Sequence, residues 1–286
     1  MVWLVARGSV LAHGDFHERI VELTRKIAEE PGNTQLLLQR AGLSLEHGDW
    51  LAAISDCDRV QSIDPSVNTD FLRGRSLLES GRPGDALPLL DACVKKEPQN
   101  LLALICRGRA YGKLARTKEA AADFRGALKS TPHPGPDLLQ EAANALAANG
   151  DSQEAMQVLT EAIKTIGPVP SLVLRALDLE IASRNFDAAL TRVETMRQSA
   201  PRPEPWMARR AAVLAQAGRI EESQAAWEAL VAHLNALPNL QRGSHAMSKL
   251  MEDAKLALAA LRNLPAAGQP STAQSTPQAS VPPPRP

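Results

Sequence analysis

The sequence predicts an all-α fold, a solenoid of stacked helix–turn–helix modules, and three periodic ladders predict it. Gly14, Gly48, Gly81, Gly150 and Gly218, with Ala115 and Arg184 in the two missing places, recur at intervals of 33–35 residues. Pro31, Pro65, Pro98, Pro132, Gly167 and Pro201 keep the same interval, and so do Ala53, Ala86, Ala120, Ala155, Ala189 and Ser223. A shared period of this length marks modules that bury their apolar faces only by stacking.

Each ladder has a task in a pair of antiparallel helices joined by a tight turn. The glycine rung ends the first helix, where the chain needs a residue tolerant of the left-handed conformation. The alanine rung sits where the two helices cross too closely for a larger side chain. The proline rung stops the second helix, because proline lacks the backbone donor and clashes with the preceding turn. Between the rungs, residues 34–46 and 51–62 carry apolar side chains at helical spacing.

Taken together these residues resemble the tetratricopeptide repeat family, with its 34-residue module. Residues 34–67 form the nearest copy, with Ala41, Gly48, Asp49, Trp50, Ala53, Ile54 and Pro65 in the family's places. Further copies begin near Val67, Leu101, Pro136, Pro170 and Glu204, and positions below are counted from these starts. A half-copy covers residues 13–31. The second copy departs through Pro83 and Pro88, and the last through Ser223. The resemblance implies a right-handed superhelical α-solenoid over residues 13–234. It also implies inter-helix packing roles for Phe16, Trp50, Phe186, Phe124, Trp227 and Tyr111, with Phe71 alone standing off that pattern.

The ends read differently from the array. Residues 1–12 admit two readings: the end of an export signal closing at Val10-Leu11-Ala12, or a short N-terminal helix. Residues 235–264 read as a linker followed by a capping helix, with Leu250, Ala254, Leu256, Leu258 and Leu261 on its apolar side. Residues 265–286, rich in Pro, Ala, Ser, Gln and Thr with Arg285 the single charge, read as a disordered tail. Localisation follows from the first segment: cytoplasmic for the chain as given, exported or periplasmic if residues 1–12 end a signal.

Composition excludes several function classes. The 286 residues hold 32 Lys and Arg against 32 Asp and Glu, so the cationic surplus that neutralises phosphates is missing. Aromatic residues make up 3%, too few for base-stacking platforms. Nucleic acid is therefore not an expected partner, and no apolar run has the length of a membrane span. Cys57, Cys93 and Cys106 have neither disulfide-framework nor zinc-site spacing, and read as small apolar packing residues.

No HExxH, GxSxG, Walker loop or strand-borne GxGxxG occurs, so neither an enzyme nor a cofactor is expected. The expected function is a non-catalytic scaffold or adaptor that binds a partner protein or peptide. The resemblance implies that positions 5 and 9 of the first helices line a concave groove. Position 9 reads Arg75, Arg109, Asn144 and Asp178, a row of mainly fork-shaped donors. Position 5 reads Phe71, Ile105, Gln140 and Leu174, a largely apolar strip beside it. Arg40, Arg73, Arg107 and Arg210, recurring at position 7, read as packing and inter-repeat pairing residues. An alternative from another class is an exported copper-type metal-binding protein, using a free amine and imidazole at His13 with Asp15, His17 and Glu18 nearby.

Overall fold

The computed structural model describes residues 5–263, with side chains described from residue 16 onward apart from Leu240. Among these residues there are fifteen α-helices and no strand, as a helical repeat solenoid requires. Two compact units meet at residues 179 and 180, and each is described on its own.

The first unit holds α1 (Val5–Glu29), α2 (Thr34–His47), α3 (Trp50–Ile63), α4 (Asp70–Glu79), α5 (Pro83–Lys96), α6 (Leu101–Lys113), α7 (Thr117–Lys129), α8 (Pro136–Ala148), α9 (Ser152–Ile166) and most of α10 (Pro170–Ala182). Helices α2 and α3, α4 and α5, α6 and α7, and α8 and α9 form hairpin pairs, and α3, α5 and α7 pack on α4, α6 and α8. α1 packs on α2, its Ile27 sharing a buried cluster with Leu37 and Val60. That helix is continuous, so Gly14 lies inside it and ends nothing, and residues 5–12 are its first turns rather than a separate short helix.

The second unit holds the end of α10, α11 (Phe186–Ser199), α12 (Glu204–Gln216), α13 (Ile220–Ala236), α14 (Asn239–Arg242) and α15 (His245–Arg262). α15 covers the exposed side of α13 with Met247, Ala254 and Leu258, joined by Leu250, Met251, Ala257 and Leu261 at helical spacing. Leu256, expected on this apolar side, is 66% exposed because it falls off that stripe. Residues 265–286 lie outside the described part.

The turn between paired helices is the same six times. At the end of α2, Gly48 takes φ 88°, its N–H donates to the Leu45 carbonyl at 3.2 Å, and the Asp49 N–H donates to the Ser44 carbonyl at 2.8 Å. This double bond satisfies two carbonyls that the helix end leaves orphaned. Ala115 and Arg184 adopt the same left-handed conformation, with φ 58° and 59°, although each carries a side chain that disfavours it. The bonds persist there, from Ala115 N–H to Gly112 O at 3.1 Å and from Arg116 N–H to Tyr111 O at 2.9 Å. Registration of the repeat thus outweighs local strain at these two turns.

Behind the turns, the position-7 arginines clamp the hairpins. Arg40 Nε and Nη2 donate to Asp56 Oδ2 and Oδ1 at 2.8 and 2.6 Å, and Arg107 repeats both distances on Asp123. Asp56 and Asp123 are buried, and both stand at position 23 of their own repeat. The third nitrogen reaches back one repeat, from Arg40 to Thr24 Oγ1 and from Arg107 to Asp91 Oδ1, at 3.0 Å each. Arg73 finds Leu89 at its position 23, so it holds only Asp58 of the preceding repeat, at 2.9 Å, and its Nε has no partner. In the second unit, where position 7 of the repeat begun at Pro170 is Ala176, Arg192 at position 23 instead clasps buried Glu180 at position 11, at 2.6 Å.

Of the aromatic residues, Phe124, Trp227 and Tyr111 are buried, but Trp50 at the start of α3 is 37% exposed. Cys57 and Cys106 are buried and Cys93 is half-buried, all three as free thiols. Burial pushes the Cys57 thiol up to about 12 and the Cys106 thiol up to about 11.

Two expectations follow for stability. Ala115→Gly relieves the left-handed strain and should raise unfolding stability by about 0.5–1 kcal/mol in urea melts, the relief exceeding the added chain entropy. Asp123→Ala leaves Arg107 buried with half its partners and should cost about 3 kcal/mol, most of it recovered when Arg107→Met and Asp123→Leu are combined.

Candidate protein-binding site

The first helices of successive repeats, α2, α4, α6 and α8, carry the position-9 residues on one side. Arg75 on α4 donates through Nη1 to Glu46 Oε1 on α2 at 2.8 Å. Arg109 on α6 donates through Nε and Nη2 to Glu141 Oε2 and Oε1 on α8 at 2.6 and 2.7 Å, with Glu79 on α4 at 4.0 Å. The expected donor row is therefore a set of ion pairs that tie each first helix to the next. The hydrogen bonds that Arg109 donates to Glu141 are the main cause that raises the Arg109 pKa.

Arg109 and Asn144 share one cavity, of about 480 Å³, between α6 and α8. Leu78, Ala120, Phe124 and Ala145 supply its apolar walls, and Lys113, Thr117 and the Arg109–Glu141 pair supply polar groups. It exists because α6 carries glycine at positions 8 and 12. A Cβ on Gly108 would lie 3.0 Å from Phe124 Cε2, so that glycine is needed for the helix crossing. A Cβ on Gly112 would meet nothing within 4 Å, so this second glycine only opens space. Lys113 has no ion-pair partner among the described residues.

The other expected groove residues are placed less uniformly. Phe71 is half-buried against two core clusters, one around Leu78 and Leu90 and one around Val94 and Leu104, so it belongs to the packing pattern it was expected to leave. Ile105 packs on the second of these clusters. Gln140 and Leu174 are half-buried, and Asp178 is exposed. None of these five lines the cavity that holds Arg109 and Asn144. Gly108, Gly112, Lys113 and Glu141 escaped sequence reasoning, although two glycines within one turn of a helix are a readable signal of a missing wall.

The second unit has its own cavity, about 730 Å³, lined by α11, α12 and α13. Glu194 stands at its wall, accepting from Arg197 Nε and Nη2 at 2.9 and 2.6 Å and from Gln198 Nε2 at 2.9 Å. The Arg197 hydrogen bond, ahead of the Gln198 bond and the nearby Arg210 charge, brings its carboxyl down from 4.5 to about 2. Among the described residues no group of three or more His, Cys, Asp and Glu side chains is placed to hold a metal. The His13 candidate lies where side chains are not described. No described helix is long and apolar enough to cross a membrane.

The family profile described as Tetratricopeptide repeat matches residues 71–133 and 106–169. A tetratricopeptide repeat and J domain-containing co-chaperone of Fusarium oxysporum is 33% identical over 97 residues, a stretch that makes up 33% of this chain and 18% of that protein. A crystal structure of a tetratricopeptide repeat protein from Parabacteroides merdae superposes with a TM-score of 0.56 at 17% identity, covering 80% of this chain and 92% of its own. The Pseudomonas aeruginosa protein pilF gives a TM-score of 0.52 at 15% identity, covering 77% of this chain and 97% of its own. At such identities these two structures show the fold.

Glu194 supplies a pH expectation. Its carboxyl is depressed in the folded chain, so its contribution to stability is present above about 4.5 and is lost as pH falls toward about 2. Side-chain carboxyl NMR should place its midpoint near the lower value, and Arg197→Gln should return it toward 4.5.

Proposed function

We propose that this chain, whose residues 71–169 match the tetratricopeptide repeat profile, is a protein-interaction scaffold that receives an apolar segment of a partner protein in the cavity between α6 and α8. The observation that carries this reading is the space that Gly112 leaves beside Arg109, Lys113 and Asn144. An apolar side chain fits the walls formed by Leu78, Ala120 and Phe124, while polar atoms of the partner backbone meet Asn144 and Thr117 at the rim. Lys113, without an internal partner, favours an acidic residue beside that anchor. Arg75, Arg109, Ile105, Gln140, Leu174 and Asp178 shape the surrounding groove in this reading, with Phe71 packed into the core instead. Arg75 and Arg109 keep its helices in register through Glu46 and Glu141. This action is binding without catalysis, as is typical of the fold.

The test fills the cavity without disturbing the core. Gly112→Trp places a ring in open space and replaces a poor helix former, so the variant should fold with unchanged or raised stability. Peptides selected from a displayed random library against the wild-type chain should lose at least tenfold in affinity for Gly112→Trp, and a smaller factor for Lys113→Glu. Equal binding to the wild type and Gly112→Trp would remove the cavity from the reading.

A further inference from the structure

Four repeats carry arginine at position 7, and three of these arginines hold a carboxylate. Arg40 and Arg107 are clasped by Asp56 and Asp123 at position 23, and Arg73 reaches Asp58 at position 25 of the repeat before it. The fourth is Arg210 on α12, and both of its counterpart partners are lost. Its position 23 is Ala226. Its position 25 in the preceding repeat is Glu194, sixteen residues earlier as Asp91 is from Arg107, but Glu194 is held by Arg197 and Gln198 instead. No carboxylate lies within ion-pair distance of Arg210 among the described residues.

In repeat 2 the same loss is repaired by bulk, since Leu89 stands where the aspartate would be. Here the replacement is a methyl group, and the space stays open. Arg210 and Ala226 both line the cavity of about 730 Å³, with Met207, Leu190 and Ala229 adding apolar wall. The other charges on its lining cancel. Arg219 is paired with Glu222 at 2.6 Å and Asp187 at 3.3 Å, and Arg197 is paired with Glu194 at 2.6 Å. One guanidinium is left over, half-buried on the cavity lining that also holds Ala226, with Glu194 and Glu222 near enough to feel its charge but beyond ion-pair distance.

We propose that this cavity is a subsite for the carboxylate of an aspartate or glutamate side chain of a partner protein, which takes the place beside Arg210 that Asp56 and Asp123 take beside Arg40 and Arg107. The guanidinium fork presents Nε and Nη2 to a carboxylate in the bidentate geometry already used twice in this chain. The methylene stem of the incoming residue rests on Met207, Ala226 and Ala229. Different residues build this subsite from those of the α6–α8 cavity, so the two readings stand or fall separately.

The experiment uses the full chain and a blocked tetraglutamate peptide, with blocked tetraglutamine and inorganic phosphate as comparison arms. The signal is the Arg210 Nε–Hε resonance, identified by its loss in Arg210→Gln. Tetraglutamate should move it saturably, and tetraglutamine should leave it in place. Ala226→Asp should rebuild the internal clasp, shift the free-state resonance toward that of Arg107, raise the Tm and weaken the peptide at least tenfold. Should that variant not fold, Arg210→Gln must by itself lower tetraglutamate affinity tenfold, measured by calorimetry. The proposal is overturned by the absence of a saturable shift, by undiminished peptide binding to the folded Ala226→Asp chain or to Arg210→Gln, or by saturation with phosphate and not with tetraglutamate.

Discussion

Everything in this chain depends on how closely the two helices of a pair cross. Ala53, Ala86, Ala120, Ala155, Ala189 and Ser223 on the second helices are buried, and the first helices carry small residues at position 8 in Ala41, Gly74, Gly108, Ala143 and Ala211. Where one side grows, the other shrinks. Phe124 is admitted because Gly108 has no side chain, and Leu90 because Gly74 has none, a Cβ there standing 3.2 Å from Leu90 Cγ. Ser223 keeps the approach although it brings an oxygen, because its hydroxyl donates to the Ala211 carbonyl at 2.8 Å and leaves no buried donor unsatisfied.

Close crossing has a cost that the rest of the structure meets. Helices held by small residues bury little apolar area at their point of contact, so the ends of each pair need other fastenings. The left-handed turn fastens one end through its two backbone bonds. The arginine clamp fastens the middle, and through its third nitrogen it joins one repeat to the one before. The strained Ala115 and Arg184 turns show which demand prevails, since the turn keeps its form where glycine is missing.

Sequence periodicity made the fold legible because period and turn chemistry are local properties. Ala115 and Arg184 were placed on the glycine ladder by spacing alone, and their positive φ agrees. Pairing of Arg40, Arg73 and Arg107 was legible for the same reason, whereas Arg210, read in the same way, holds no carboxylate among the described residues because its position 23 is Ala226. What could not be read is set by partners without a fixed interval. Glu46 lies 29 residues from Arg75, and Glu141 lies 32 from Arg109 in the other direction along the chain, so nothing in either local sequence announces that the donor row is already paired. Phe71 was misplaced because α4 begins at Asp70, and a residue in its first turn leans between two clusters rather than outward. Gly14 was read as a helix end because spacing cannot tell a glycine that terminates a helix from one that a helix runs through.

The pairing of the arginines also governs how a partner arrives. The whole chain has zero formal net charge, and in the first unit Arg40, Arg75, Arg107, Arg109 and Arg125 are each held against carboxylates, so these arginines act as closed dipoles and not as a cationic field. Such a surface does not gather ligands from a distance. Encounter is then an unsteered orientational search, on the order of 10⁵–10⁶ M⁻¹s⁻¹, with little dependence on salt, and discrimination between partners falls to how long each stays bound.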